Sequence, residues 1–151
     1  MIKLSRLADY AVVLMAHYVY GKDVLLSAHE LAIRTRLPQT TVSKVLKRLA
    51  KANLLTSEKG IKGGYRLARS ASQIPIADII MAVDGPIGVT ECVDGHVGEC
   101  NLESWCPTRQ GFNRINSVIR QALTEVSLAE ILSPVPQSGS AMLRGTYDKN
   151  N

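Results

Sequence analysis

Apolar positions recur at helical spacing from the start of the chain. Ser5 can cap a first helix in which Leu7, Tyr10, Ala11, Leu14, Met15 and Tyr18 share one side, and Gly21 closes it. A second cap, Ser27, opens "SAHELAIRTRLP", where Leu31, Ala32 and Leu37 suit a short helix and turn. Pro38 then starts a third helix, "QTTVSKVLKRLAKANLL". Val42, Val45, Leu46, Leu49 and Leu54 or Leu55 form its apolar face. Its other side shows Gln39, Thr40, Thr41, Ser43, Lys44, Lys47, Arg48 and Lys51.

Two helices joined by a tight turn, the second polar and basic outside, is the helix-turn-helix pattern. A helical bundle with a solvated basic face would read the same way. The next segment separates the two. "LLTSEKGIKGGYRLA" has two strand-like runs around the glycine-rich basic tip Lys59–Gly64, a hairpin placed as a wing. Lys59, Lys62 and Arg66 can meet phosphates or enter a minor groove. The pattern predicts a mainly α fold with a small β-wing, a winged helix-turn-helix domain over residues 1–85.

"IPIADIIMAVDG" predicts a short apolar helix ended by Gly85. A loop over residues 86–106 follows, and Pro107 suits the first turn of a long helix. Phe112, Ile115, Ile119, Ala122, Leu123 and Val126 make one stripe on it, with Arg114, Asn116, Arg120 and Gln121 assigned to the opposite side. A stripe this long needs a partner, and a second copy of the chain through Phe112, Ile115, Ile119 and Leu123 is expected; packing on its own domain is the alternative. "SLAEIL" is a last short helix, so residues 107–132 form a dimerisation unit, and residues 133–151 read as a disordered tail.

Charge divides the chain of 151 residues. Residues 1–70 carry 13 Lys and Arg against 4 Asp and Glu, a net of +9; residues 71–151 carry 5 against 9, a net of −4. The basic front points to a polyanion partner. The apolar run Tyr10–Tyr20 is too short to span a bilayer. Lys3 and Arg6 precede it as in an export signal, but Asp9 and the lack of a small-residue cleavage site argue against export, so a cytoplasmic setting with no membrane partner is expected. No phosphate loop, nucleophile elbow or paired carboxylates stand out, and no cysteine is matched to a base and an orienting acid, so no enzyme is expected.

The chemistry lies in "ECVDGHVGECNLESWCP", residues 91–107, which holds all three cysteines: Cys92, Cys100 and Cys106. An odd count does not fit a secreted disulfide framework. Thiolates are soft ligands that favour iron–sulfur clusters, zinc or copper(I). Three readings remain: a cluster cradle, a thiol-redox switch, or a zinc-stabilised interaction domain with His96 completing a Cys₃His set.

Taken together, "MIKLSRLADYAV", "KGIKGGYRLA", "IADIIMAVDG" and three cysteines before a long helix resemble one family over residues 1–132. It comprises bacterial winged-helix repressors that sense iron–sulfur clusters, nitric oxide or redox state, including the isc and suf cluster-assembly repressors. The chain looks most like the suf-type regulator. The resemblance implies a homodimer on a pseudo-palindromic double-stranded operator, with half-sites one helical turn apart or a multiple of it, roughly 34–36 Å per turn. It implies base reading by Thr40 and Ser43 beside Gln39 and Lys44, and a minor-groove contact by Lys59. Some members carry a glutamate where this chain has Ser43, which separates two operator classes by cluster occupancy, so that switching is not expected here.

The resemblance makes Cys92, Cys100 and Cys106 cluster ligands. The seven-residue gap between Cys92 and Cys100 is longer than the family's usual spacing. A histidine ligand common in cluster-assembly regulators falls here on Arg109, a poor iron ligand. Two replacements are visible. Asp9 matches a carboxylate ligand of the nitric-oxide-sensing members, which reaches across the dimer; His96 could ligate from within the loop. Water or a small thiol is the third choice. The cluster is [4Fe–4S] or [2Fe–2S], with neither favoured.

Overall fold

The computed structural model describes residues 3–21, 24–60, 62–90, 93 and 105–133. Helix α1 spans Arg6–Tyr20. The Ser5 hydroxyl accepts from the Ala8 N–H at 3.0 Å, and the Gly21 N–H returns to the carbonyls of His17 and Val19. Each bond satisfies a backbone group that a helix end leaves without a partner. Ala8, Ala11, Leu14, Met15 and Tyr18 are buried, which is the face that the periodicity predicts.

Helix α2, Ala28–Thr35, opens with a reciprocal capping box between Ser27 and Glu30. The turn that follows passes through Arg36 in the left-handed region (φ 57°) and leads to α3, Gln39–Lys51. Pro38 sits at the N-cap, and its carbonyl accepts from the Thr41 and Val42 N–H groups. Val42, Val45, Leu46 and Leu49 are fully buried. Strands β1, Leu55–Glu58, and β2, Gly64–Leu67, pair antiparallel with Leu55 opposite Leu67 and Glu58 opposite Gly64.

Leu26 pairs with β2 as an isolated antiparallel bridge, exchanging backbone bonds of 3.0 and 2.9 Å with Tyr65. A Cβ on Gly64 would lie 2.7 Å from the Leu26 carbonyl oxygen, so only glycine lets the wing seat against the segment before α2. Helix α4, Ile76–Asp84, buries Ile76, Ala77, Ile79, Ile80 and Val83 and ends at Gly85 (φ 89°).

Helix α5, Arg109–Glu125, and α6, Leu128–Leu132, complete the described chain. The sequence reading grouped α6 with the long helix. In the structure α6 returns to the winged-helix core instead, beside α1 and the 3₁₀ turn Ala71–Gln73. The Ile76 N–H donates to Val126 O at 2.9 Å, the Leu128 N–H donates to Ile74 O at 2.8 Å, and the Leu128 side chain is fully buried. Of the expected tail over residues 133–151, all but Ser133 lies outside the described residues.

Candidate DNA interface and cysteine site

The buried stripe of α3 leaves Thr40, Lys44, Lys47 and Lys51 exposed on the opposite side, because a helix turns by about 100° per residue. Ser43 and Thr41 lie half-buried on the flanks of that side. Gln39 is exposed at the start of α3, with its Oε1 3.5 Å from His29 Nδ1 of α2. Lys59 and Lys62 are exposed at the wing tip. These side chains form a basic helix face next to a basic hairpin tip, an arrangement suited to phosphates on either side of a groove.

Two expected DNA contacts are engaged elsewhere. Arg66 pairs with Glu58 across the hairpin, which removes part of the charge assigned to the wing. Arg48 donates from its guanidinium to the Val83 carbonyl at the C-terminal end of α4. That end needs a donor, since Gly85 breaks the helix and Pro86 has no N–H to offer. A cation there also meets the negative end of the helix dipole. Arg48 is therefore a helix-to-helix tie in this structure, on an exposed side chain of α3.

Cys92, Cys100 and His96 lie outside the described residues. The two ends of the cysteine segment are described. At its start, the side chain of Asn116 from α5 clamps the backbone: Nδ2 donates to Ile87 O at 3.0 Å, and Oδ1 accepts from the Val89 N–H at 3.1 Å. Val93, next to Cys92, is buried and lies close to Gly88. At its end, Cys106 stands half-buried just before α5, with its Sγ 3.3 Å from Thr108 Oγ1. The Thr108 hydroxyl and N–H, the Arg109 N–H and the Arg109 charge hold the Cys106 thiol below its ordinary pKa. These interactions favour the thiolate, the form that binds soft metals and attacks oxidants.

Asp9 is exposed in the first turn of α1. Among the described residues, no three His, Cys, Asp or Glu side chains gather at one point. Arg109 is half-buried in the first turn of α5, one turn from Cys106.

The sequence reading placed Asn116 on the polar side of α5, but it is the buried residue of that helix at 1% exposure. Its spacing held the signal: it stands four residues after Phe112, three before Ile119 and seven before Leu123, within the apolar stripe. Phe112, Ile115 and Val118 are exposed at 38%, 48% and 62%. Ile119 is half-buried, and Leu123 packs against the chain's own core.

The profile of the Rrf2 family, described as iron-dependent transcriptional regulators, matches residues 4–134. The chain belongs to the Rrf2 family. This Rrf2 chain is similar to the HTH-type transcriptional regulator IscR of Vibrio vulnificus strain YJ016, 28% identical over 132 residues, covering 87% of this chain and 77% of that protein. In fold it matches Staphylococcus aureus CymR in its oxidized form, with a TM-score of 0.66 and 25% identity over 89% of this chain and 99% of that one. It also matches T. potens IscR, with a TM-score of 0.62 and 24% identity over 93% of each chain. The expected winged-helix fold stands on these matches.

Rrf2 proteins are DNA-binding transcriptional regulators, and this chain is a regulator and not an enzyme. No helix among the described residues is long and apolar enough to cross a membrane.

Proposed function

We propose that this Rrf2 protein is a homodimeric repressor whose operator affinity is set by an iron–sulfur cluster on Cys92, Cys100 and Cys106. The fourth contact would come from Asp9 of the partner subunit or from His96. The observation that carries this reading is Cys106: an accessible thiol, favoured as thiolate, at the junction between the cysteine segment and α5. That donor chemistry fits a soft metal centre. Bound there, the cluster would supply a labile cross-link among thiolates, and its loss would report iron limitation or oxidants.

The chain's own residues would do the rest. Cys106 ties the segment to the start of α5, and Asn116 holds the other end of the segment two turns further along the same helix. The exposed Phe112, Ile115 and Val118 support a second copy as the partner of α5. A groove of about 720 Å³ beside them, lined by Leu4, Ile80, Ile87, Ile119 and Leu123 among others, supports the same reading. Thr40, Ser43, Lys44, Lys47 and Lys59 face the operator, and the family resemblance assigns cluster-assembly genes as its targets.

Purification without oxygen tests the proposal. Brown protein with absorbance near ~400 nm, iron and acid-labile sulfide is expected from cysteine-held clusters. Colourless protein with stoichiometric zinc would overturn it. A second reading, a cluster-free thiol switch, draws on the same low-pKa Cys106 and on the likeness to CymR, solved in an oxidized form. Metal-free protein that cannot be reconstituted, yet changes operator affinity on oxidation, would favour that reading.

A further inference from the structure

Two hydrogen-bonded ties lie in series between the recognition helix and the helix that follows Cys106. The first joins α3 to α4, where the Arg48 guanidinium meets the Val83 carbonyl. The second joins the residues just after α4 to α5, where Asn116 holds Ile87 and Val89. Between them run only Asp84, Gly85 and Pro86. Cys106 stands at the start of the same α5.

Arg48 supplies a donor that the backbone at the end of α4 lacks. The Gly85 N–H still closes on the Met81 carbonyl at 3.1 Å, but Pro86 has no N–H to offer the Val83 carbonyl. Arg48 and Lys51 both line the hollow over Met81–Gly85, so the negative end of α4 faces the cationic flank of α3. Any shift of residues 84–89 that moves Val83 must either carry α3 along or break the tie. Packed elements respond in such discrete steps, because their interiors do not deform continuously.

We propose that Arg48 is the positioning residue that couples the cysteine segment to the recognition helix, without itself touching DNA. This rests on the function proposed above for what loads the segment, but the tie can be tested without any cluster. By linkage, if the segment biases α3, then operator binding at α3 must equally bias the segment.

The first measurement uses the full-length, metal-free protein. Amide hydrogen exchange over residues 83–89 is followed with and without operator DNA, in the wild type and in Arg48→Met, which keeps an aliphatic stem but loses the donors. Operator binding is expected to slow exchange in the wild type and not in Arg48→Met. Unchanged exchange in the wild type, or equal slowing in both, overturns the proposal. Should Arg48→Met fail to fold by circular dichroism, Arg48→Lys, which keeps the charge but not the planar fork, is expected to show partial protection; full wild-type protection there overturns the proposal.

The second measurement uses protein purified without oxygen. Arg48→Met is expected to keep the wild-type visible spectrum and iron content. Its ratio of loaded to unloaded operator affinity should fall toward one, from the 5–150-fold range usual for such coupling. Its salt dependence of binding should match the wild type. A salt slope reduced by about one, with the affinity ratio intact, would make Arg48 a phosphate contact and overturn the proposal. Colourless wild-type protein would sink the cluster reading alone, and the exchange experiment would still decide the role of Arg48.

Discussion

Helices α3 and α5 are both amphipathic, yet they finish their apolar faces differently. The face of α3 is sealed within the chain: Val42, Val45, Leu46 and Leu49 are inaccessible to solvent. Helix α5 is longer, yet its buried residue is a polar one, Asn116, while Phe112, Ile115 and Val118 face outward. The DNA-facing half is thus closed by its own core. The half that carries α5 is held by a hydrogen-bonded clamp and leaves apolar surface exposed.

The contrast is most easily broken with core truncations. Leu46→Ala should cost about 2–5 kcal/mol in urea denaturation, as for a fully buried leucine. That loss should hardly vary with protein concentration. Phe112→Ala should instead show a loss that grows with concentration, since it would weaken association rather than the fold of one chain. Equal, concentration-independent losses would end the distinction.

Asn116→Leu comes next. It leaves Ile87 O and the Val89 N–H without their partner, and burying such groups unpaired costs about 1–3 kcal/mol. Denaturation midpoints and exchange rates at residues 87–89 would show it. A neutral result would mean that packing, and not the clamp, holds the start of the segment.

Smaller effects sharpen the DNA side. Lys47→Ala and Lys59→Ala should each reduce the salt slope of operator binding by about one. Arg66→Ala should reduce it less, because Glu58 already pairs with that side chain. Fluorescence anisotropy over a salt series would rank the three.

The smallest effect concerns Cys106. With its pKa lowered, the thiolate fraction should persist below the pH range of an ordinary thiol, near ~8.5. Alkylation rates read peptide by peptide should therefore level off at lower pH than for a free cysteine. Thr108→Val removes the largest cause and should move the midpoint up. An unchanged midpoint would leave Arg109 and the backbone N–H groups as the cause.

Much of this molecule was legible in its residues, but unevenly. The caps at Ser5 and Ser27, the stops at Gly21 and Gly85 and the wing around Lys59–Gly64 depend on local chemistry, and each stands where the pattern puts it. Asn116 was assigned to the wrong side because its amide outweighed a spacing that lies within the apolar stripe. Its partners, like the internal partner of Arg48, were not legible at all. Helical spacing tells which side of a helix a residue occupies, but not which backbone group waits there. Arg48 meets a carbonyl 35 residues away in sequence, and the partners of Asn116 lie 27 and 29 residues away.

The sequence by itself determined the helix-turn-helix, the wing, the basic front half and the cluster of three thiols, since periodicity, capping and charge act over a few residues. Only the tertiary structure decided that α6 returns to the core, that Arg66 pairs with Glu58 across the wing, that Arg48 caps α4, and that Asn116 binds the cysteine segment to α5. Those outcomes depend on which unsatisfied carbonyls, amides and charges the packed elements bring together, and local pattern carries no record of that.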